Sequence, residues 1–154
     1  MAQARTVGPV EDSLGYVLKQ ASVALRSEME AALRPLGLSV TQYSCLELLG
    51  QRVDLSSAEL ARGTFVTRQS MHTVLQGLQD RGLVTRPAVA PEGRALPARL
   101  TDDGRAALEK ASRAVAAVEE RMIAPLDATT RRIVLDALKS SVAALAGGAP
   151  PSVS

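Results

Sequence analysis

Apolar residues recur at intervals of three and four over most of this 154-residue chain, the spacing typical of amphipathic α-helices. A first helix is predicted from about Ser13 to Leu36, a later one from Thr101 up to Pro125, and a last one from about Asp127 onward. Their apolar faces are wider than one small core needs. We therefore expect these long helices to pair with a second copy of the chain.

Two capping boxes predict further helix starts, since in each one a serine and a residue three positions later satisfy one another's exposed amides. Ser39 with Gln42 opens a helix to about Arg52, and Ser56 with Glu59 opens a short helix that stops by residue 63. The positions of the first of these two helices that are expected to face inward are Tyr43, Leu46, Leu49 and Val53.

A fourth helix is predicted from Thr67, a good N-cap residue, to Gly82, which suits the left-handed cap position. Residues 83–89 and 95–101 then look strand-like, and the segment 90–93 between them predicts a turn. This order predicts a mainly α fold with a small β-wing: a winged helix-turn-helix flanked by long dimerisation helices. Its predicted parts are a flexible N-terminus (1–12), a helical dimerisation region (13–36 and 102–146), a DNA-binding winged helix-turn-helix (37–101) and a disordered tail (147–154).

The charge distribution points to a partner for the middle of the chain. The formal net charge is only +2, yet residues 56–100 hold six arginines against three acids, while the segments on either side are nearly balanced. Arginine at this density neutralises phosphates and bonds bidentately to guanine edges. A solvated basic face has the same composition, so charge alone does not decide between the two.

The helix opened by Thr67 combines an apolar stripe with a polar opposite face. The second helix of a helix-turn-helix puts its N-terminal part into the major groove, where Arg, Gln and Thr read base edges. We therefore expect this face to contact DNA, with a solvated helix face as the alternative. The candidate contacts are Thr67, Arg68, Gln69, Ser70, His72, Thr73 and Gln76.

Three arginines of the predicted wing are further DNA candidates. Arg94 follows the turn, where an arginine reaches the neighbouring minor groove, and Arg86 and Arg99 on the flanking strands are expected to meet phosphates. The alternative interpretation of Arg94 is that it is an ordinary solubilising residue at the tip of a hairpin.

From Leu14 to about Leu145 the chain resembles the MarR family of dimeric winged-helix regulators. The resemblance rests on residues 36–43, 60–62, 66–70 and 78–84, on Glu92-Gly93-Arg94, and on Leu100-Thr101 with Gly104. It implies that the family's wing arginine falls on Arg94 and its recognition-helix contacts on Arg68, Gln69, Ser70, His72 and Thr73. Two positions depart from the family pattern, because Glu92 and Gly93 replace the family's aspartate and arginine. A third, Pro97, is unusual for a strand because proline has no amide hydrogen to donate to the partner strand. Gly77, which costs about 1 kcal/mol relative to alanine inside a helix, suggests close packing there.

The resemblance also implies a cleft between the dimerisation helices and the DNA-binding part that holds small aromatic or phenolic compounds. The candidates for such an effector site are Tyr16, Gln20, Tyr43 and Leu46. The alternative is that both tyrosines are core residues with satisfied hydroxyls.

The remaining chemistry is sparse. Cys45 has apolar neighbours and no basic residue close in sequence to lower its pKa, so we expect a buried structural thiol, with an oxidant sensor as the alternative. A single cysteine suits a reducing cytoplasm, and no apolar run approaches the ~20 residues that span a bilayer. With His72 and Cys45 in different environments, we expect no metal site, no cofactor and no enzyme.

The sequence thus predicts a cytoplasmic, homodimeric transcriptional repressor. It is expected to bind a pseudo-palindromic operator in double-stranded DNA and to release it in response to a small aromatic effector. The rival from another class is a winged-helix protein-interaction module, since fold does not settle function.

Overall fold

The structure is a computed structural model that describes residues 8–86 and 97–147. Within them the α-helices are α1 (Leu14–Leu33), α2 (Val40–Gln51), α3 (Ser57–Thr64), α4 (Arg68–Asp80), α5 (Asp102–Ile123) and α6 (Ala128–Ala146), and two short strands, β1 (Val84–Thr85) and β2 (Arg99–Leu100), form an antiparallel pair. Short 3-10 turns precede α1 and link it to α2, the second around Pro35. The mainly α fold with a small β-wing is confirmed.

A side-chain cap begins each of the described α-helices, which explains why their starts were predictable. The cap oxygens of Ser13, Ser39, Ser56, Thr67, Thr101 and Asp127 accept hydrogen bonds from the backbone amides of Tyr16, Gln42, Glu59, Ser70, Gly104 and Thr130. Both capping boxes are complete. Gly82 has a φ of +71°, which confirms the left-handed glycine expected after α4.

The core lies between α2, α3, α4, the end of α1 and the first half of α5. Its fully buried side chains are Leu33, Cys45, Leu46, Leu60, Met71, Leu75, Leu78 and Ala111. The base of the wing closes this core on one side, because β1 pairs with β2 and the Ala98 amide donates to the Leu55 carbonyl at 3.2 Å. We call residues 37–86 and 97–101 the winged-helix lobe.

The junction between α4 and α5 is tight. Thr101 donates its hydroxyl proton to the Gly82 carbonyl at 2.6 Å, and its amide donates to the Leu83 carbonyl at 3.1 Å. A Cβ on Gly104 would lie 2.0 Å from that same Leu83 oxygen. Glycine is therefore required at 104, and the end of α4 is held directly against the start of α5.

One inward-facing prediction is wrong. Val53 is 84% exposed, because α2 ends at Gln51 and Arg52 already has an extended backbone conformation. The helical spacing that pointed Val53 inward therefore no longer applies at that position.

The long helices differ in how well they are covered. The middle of α5 is buried against α1 and α2, through Ala111, Val115 and Val118. The first half of α1 and all of α6 instead expose large apolar side chains, with Leu14 78% and Leu145 90% exposed. Within the described residues, α6 buries no side chain at all.

Near the ends of the chain the described residues are more regular than predicted. Val10–Asp12 forms a 3-10 turn within the segment that we expected to be flexible, and Gly147 caps α6 with a φ of +50° where the tail was expected to begin. The other predicted tail residues, and the predicted turn at 90–93, lie outside the described residues.

Candidate DNA-binding interface

Helix α4 is held in place by its apolar side and leaves its polar side open. Met71, Leu75 and Leu78 are fully buried against the core. At its start, Thr67 Oγ1 accepts from the Ser70 amide and donates to Ser70 Oγ, both at 3.0 Å. The apolar stripe predicted from the sequence is therefore confirmed, and it turns the opposite face of α4 outward.

The predicted contact residues share that outward face. All are exposed: Thr67, Arg68, Gln69, Ser70, His72, Thr73 and Gln76. Two of them make local bonds, Thr73 to the Gln69 carbonyl and Gln76 to Asp80. Arg68 forms no ion pair with any residue in the described parts of the chain, so its guanidinium is available to an external anion.

Gly77 does not lie in a close contact, contrary to the expectation from sequence. A Cβ built there would meet only Gln42 Nε2, at 3.6 Å, which is an ordinary van der Waals distance. The packing therefore does not require glycine at this position.

The far end of α4 is held in place by Arg81, for which the sequence predicted no contact within the protein. Arg81 donates to the Gly37 carbonyl at 2.7 Å and to the Leu36 carbonyl at 3.4 Å. These bonds tie the end of α4 to the connection between α1 and α2. Nothing local marks this role, because the partners lie more than forty residues apart in the chain.

Two of the predicted phosphate contacts have partners inside the protein. Arg86 is half-buried and donates to Ser57 Oγ at 2.9 Å, at the start of α3. Arg99 forms an exposed ion pair with Asp54, with its Nε at 2.7 Å and its Nη2 at 2.6 Å from the same carboxylate oxygen. Arg86 therefore joins the base of the wing to the start of α3, and Arg99 joins it to the segment between α2 and α3.

Arg94, together with Glu92 and Gly93, lies outside the described residues. Pro97 is described. It is partly buried and immediately precedes Ala98, whose amide makes the bridge to Leu55.

The predicted effector residues fall into two separate groups. Tyr43 is half-buried, and its hydroxyl donates to Glu47 Oε2 at 3.2 Å, an oxygen that also accepts from Ser112 Oγ at 2.9 Å. Burial is the main cause that raises the pKa of the Tyr43 phenol. Leu46, one turn on from Tyr43, has no exposed surface and belongs to the core.

Tyr16 and Gln20 are exposed on α1, far from that cluster. Helices α1 and α5 run antiparallel, with Glu28 paired to Arg121 and the Tyr43–Glu47 cluster placed against Ser112. Since a helix rises about 1.5 Å per residue, Tyr16 lies about 18 Å beyond Glu28 in one direction and Ser112 about 14 Å from Arg121 in the other. Within one chain the structure therefore does not bring Tyr16 and Tyr43 together.

A cavity of about 440 Å³ lies between these two levels, in the groove of α1 and α5. Its walls are mainly apolar, and the Glu28–Arg121 ion pair stands at its side. Residues that line it include Ala21, Leu25, Val118 and Met122. Tyr16 and Tyr43 are absent from its lining.

Cys45 is fully buried on α2, and burial raises the pKa of its thiol to about 12. A thiol that stays protonated at neutral pH is a poor nucleophile. This environment favours the structural thiol over the oxidant sensor.

The described segments contain neither metal-ligand clusters nor membrane-spanning helices. They contain no cluster of three or more histidine, cysteine or acidic side chains arranged to hold a metal ion. None of their helices is long and apolar enough to cross a membrane.

The comparisons with known proteins agree on one family. A sequence model of the MarR family matches residues 36–95. The HTH-type transcriptional repressor Rv2887 of Mycobacterium tuberculosis is 47% identical to this chain over 127 residues, which cover 82% of this chain and 91% of the relative.

Solved structures of the same mycobacterial protein are also similar in fold. Its complex with DNA matches with a TM-score of 0.70 and 44% identity, over 82% of this chain and 95% of that one. Its complex with salicylic acid matches with a TM-score of 0.69 and 43% identity, over 91% of this chain and 98% of that one.

Proposed function

Because the chain belongs to the MarR family of winged helix-turn-helix transcriptional regulators, we propose that it represses transcription by binding a specific operator as a homodimer. The observation that carries the proposal is the arrangement of α4, whose buried apolar stripe presents a continuous polar face. Such a regulator acts where the DNA is, so we place it in the cytoplasm.

In this proposal α4 lies in the major groove. Arg68 and Gln69, in its first turn, are the principal base-reading residues, since arginine pairs with guanine and glutamine with adenine. Thr67 and Ser70 meet a phosphate near the helix start, where free amides and the helix dipole favour an anion. His72, Thr73 and Gln76 contact the DNA further along the groove.

The wing completes the grip. Arg94 enters the neighbouring minor groove, as the family resemblance implies. Arg86 and Arg99 meet the phosphate backbone from the wing base, while their bonds to Ser57 and Asp54 hold that base in position.

The homodimer is supported by the uncovered apolar faces of α1 and α6. A two-fold dimer presents two copies of α4, so the operator is a pseudo-palindrome with half-sites about one helical turn apart. The DNA complex of the mycobacterial relative supports DNA as the partner.

A small aromatic compound relieves repression in this proposal, supported by the salicylic acid complex of the relative. Since Tyr16 and Tyr43 lie apart in one chain, they are tested separately: Tyr16→Ala and Tyr43→Phe are each titrated with salicylate in an operator-release assay. If neither substitution changes the release and calorimetry detects no phenolic ligand, the effector part of the proposal is wrong.

The DNA-binding proposal is tested by fluorescence anisotropy on the DNA upstream of the protein's own gene, at two salt concentrations. Affinity should fall steeply with salt because phosphate contacts release counterions. Arg68→Ala should weaken specific binding by about 1–3 kcal/mol and relax base preference. Arg113→Ala, an exposed arginine on α5, is the matched control and should leave affinity unchanged.

Salt-independent binding, or no binding to DNA at all, would favour the protein-interaction module instead. For oxidant sensing, the decisive comparison is peroxide treatment of the wild type and Cys45→Ser. We expect DNA binding to respond equally in both, because Cys45 is buried.

A further inference from the structure

Phe65 lies in the turn between α3 and α4 in a conformation that the fold alone does not favour. It is 84% exposed and has a φ of +60°, in the left-handed region. Its backbone ends α3, with its amide and that of Val66 donating to carbonyls of the last turn. Glycine performs this task without steric cost, whereas a bulky side chain at positive φ is an outlier.

Phe65 therefore carries two energetic penalties. It holds a strained backbone position and leaves a large apolar surface in water. A lone exposed apolar residue needs no explanation, but a strained one beside a candidate site often has a functional role. The neighbouring Val66, by contrast, is partly buried and packs on the core.

The surroundings of Phe65 indicate what covers the ring. Thr67, two residues on, caps the helix proposed to enter the major groove. Arg62 and Arg68 flank the turn, both exposed, and neither forms an ion pair with a described residue. An exposed aromatic ring with an exposed arginine three residues away on either side in the chain, next to the start of α4, is complementary to DNA.

We propose that Phe65 is a specificity-determining residue that packs its ring on a thymine methyl group at the edge of the major groove. The thymine methyl is the apolar feature of base edges in that groove, and phenylalanine is among the side chains that contact it. The inference rests on the proposed DNA-binding function and adds to it an apolar contact outside α4.

The test is a double-mutant cycle that combines a substitution in the protein with a base change in the DNA. Phe65→Gly removes the ring and gives glycine the φ that it adopts freely, so the melting temperature should not fall. On the other side, each thymine in the footprinted site is replaced in turn by deoxyuridine, which removes only the methyl group. Phe65→Leu keeps an apolar side chain and is the conservative variant.

At one thymine per half-site, we expect the wild type to bind the deoxyuridine duplex about fourfold more weakly, the value of one buried methyl-sized group. Phe65→Gly removes the ring from both half-sites of the proposed dimer, so it should bind both duplexes equally and more weakly than the wild type binds the deoxyuridine duplex. Phe65→Leu should recover part of the difference.

Equal affinity of Phe65→Gly and the wild type for the thymine duplex would overturn the inference. So would a loss in Phe65→Gly that is the same with thymine and deoxyuridine at every position. If the wild type binds no duplex, the proposed function itself fails, a result that the salt titration reveals before the cycle begins.

Discussion

The winged-helix lobe buries its apolar side chains, whereas the outer helices α1 and α6 leave many of theirs exposed. In the lobe, leucines and a methionine from three helices meet in one closed core, with Leu46, Leu60 and Met71 fully buried. On α6, Ile133, Val142 and Leu145 stay largely exposed, although their helical spacing is equally regular.

This contrast indicates that one chain completes the lobe but not the outer helices. An apolar face at helical spacing is stable only when something covers it, and within the described residues no side chain of α6 is buried. The lobe should therefore depend on internal packing, and the outer helices on a second copy.

The strongest test of this contrast is Leu138→Asp in α6. In a two-fold dimer each substitution acts twice, so two unpaired carboxylates enter the interface. We expect the proposed homodimer to weaken by more than about 4 kcal/mol, measured by sedimentation over a dilution series. Ser140→Asp, off the apolar face of the same helix, should leave the dimer intact. Equal dimerisation of the two variants would show that α6 lies outside the interface.

The next largest effect is expected inside the lobe junction, from Gly104→Ala. The added Cβ would meet the Leu83 carbonyl oxygen at 2.0 Å, which neither backbone can avoid without moving. Overpacking of this kind should lower the free energy of unfolding by about 3 kcal/mol, measured by urea denaturation. An unchanged midpoint would mean that α4 and α5 are not held together as described.

Gly77→Ala should raise the free energy of unfolding, whereas Gly104→Ala should lower it. Its Cβ fits at an ordinary distance from Gln42, so the helix gains propensity without a clash. We expect a stabilisation of about 0.5–1 kcal/mol, seen as a higher melting temperature. Destabilisation would instead reveal a close contact at this face of α4, as the sequence had suggested.

The smallest effect is expected at the wing base. The Asp54–Arg99 pair is exposed on both sides, so Asp54→Asn should lower stability by no more than about 0.5 kcal/mol. Glu109→Gln, which breaks the exposed Arg113–Glu109 pair on α5, is the matched control and should have a similarly small effect. A loss of several kcal/mol in Asp54→Asn alone would show that this pair supports the lobe far more than a surface ion pair does.

Much of the fold followed from short-range chemistry. The starts of α2, α3, α4 and α5 were predicted at the residue where they occur, because a capping side chain bonds an amide only three positions away. The buried stripe and polar face of α4 followed from the helical period alone. The prediction that Val53 faces inward was wrong because α2 ends at Gln51, before that position.

The candidate site was predictable to a lesser degree. The exposed face of α4 is visible in the order of polar residues, but the bonds of Arg81, Arg86 and Arg99 are not. Each reaches a partner distant in sequence, at Gly37, Ser57 or Asp54. The strained position of Phe65 likewise depends on how α3 ends.

By itself, then, the sequence determined the order of elements, the helix starts, the basic middle segment and the family. Those features depend on period, composition and contacts within one helical turn. Only the tertiary structure decided which arginines bind the protein itself, that Gly104 is required and Gly77 is not, and that Tyr16 and Tyr43 lie apart. These outcomes depend on distances between residues remote in the chain, which packing sets and no local pattern encodes.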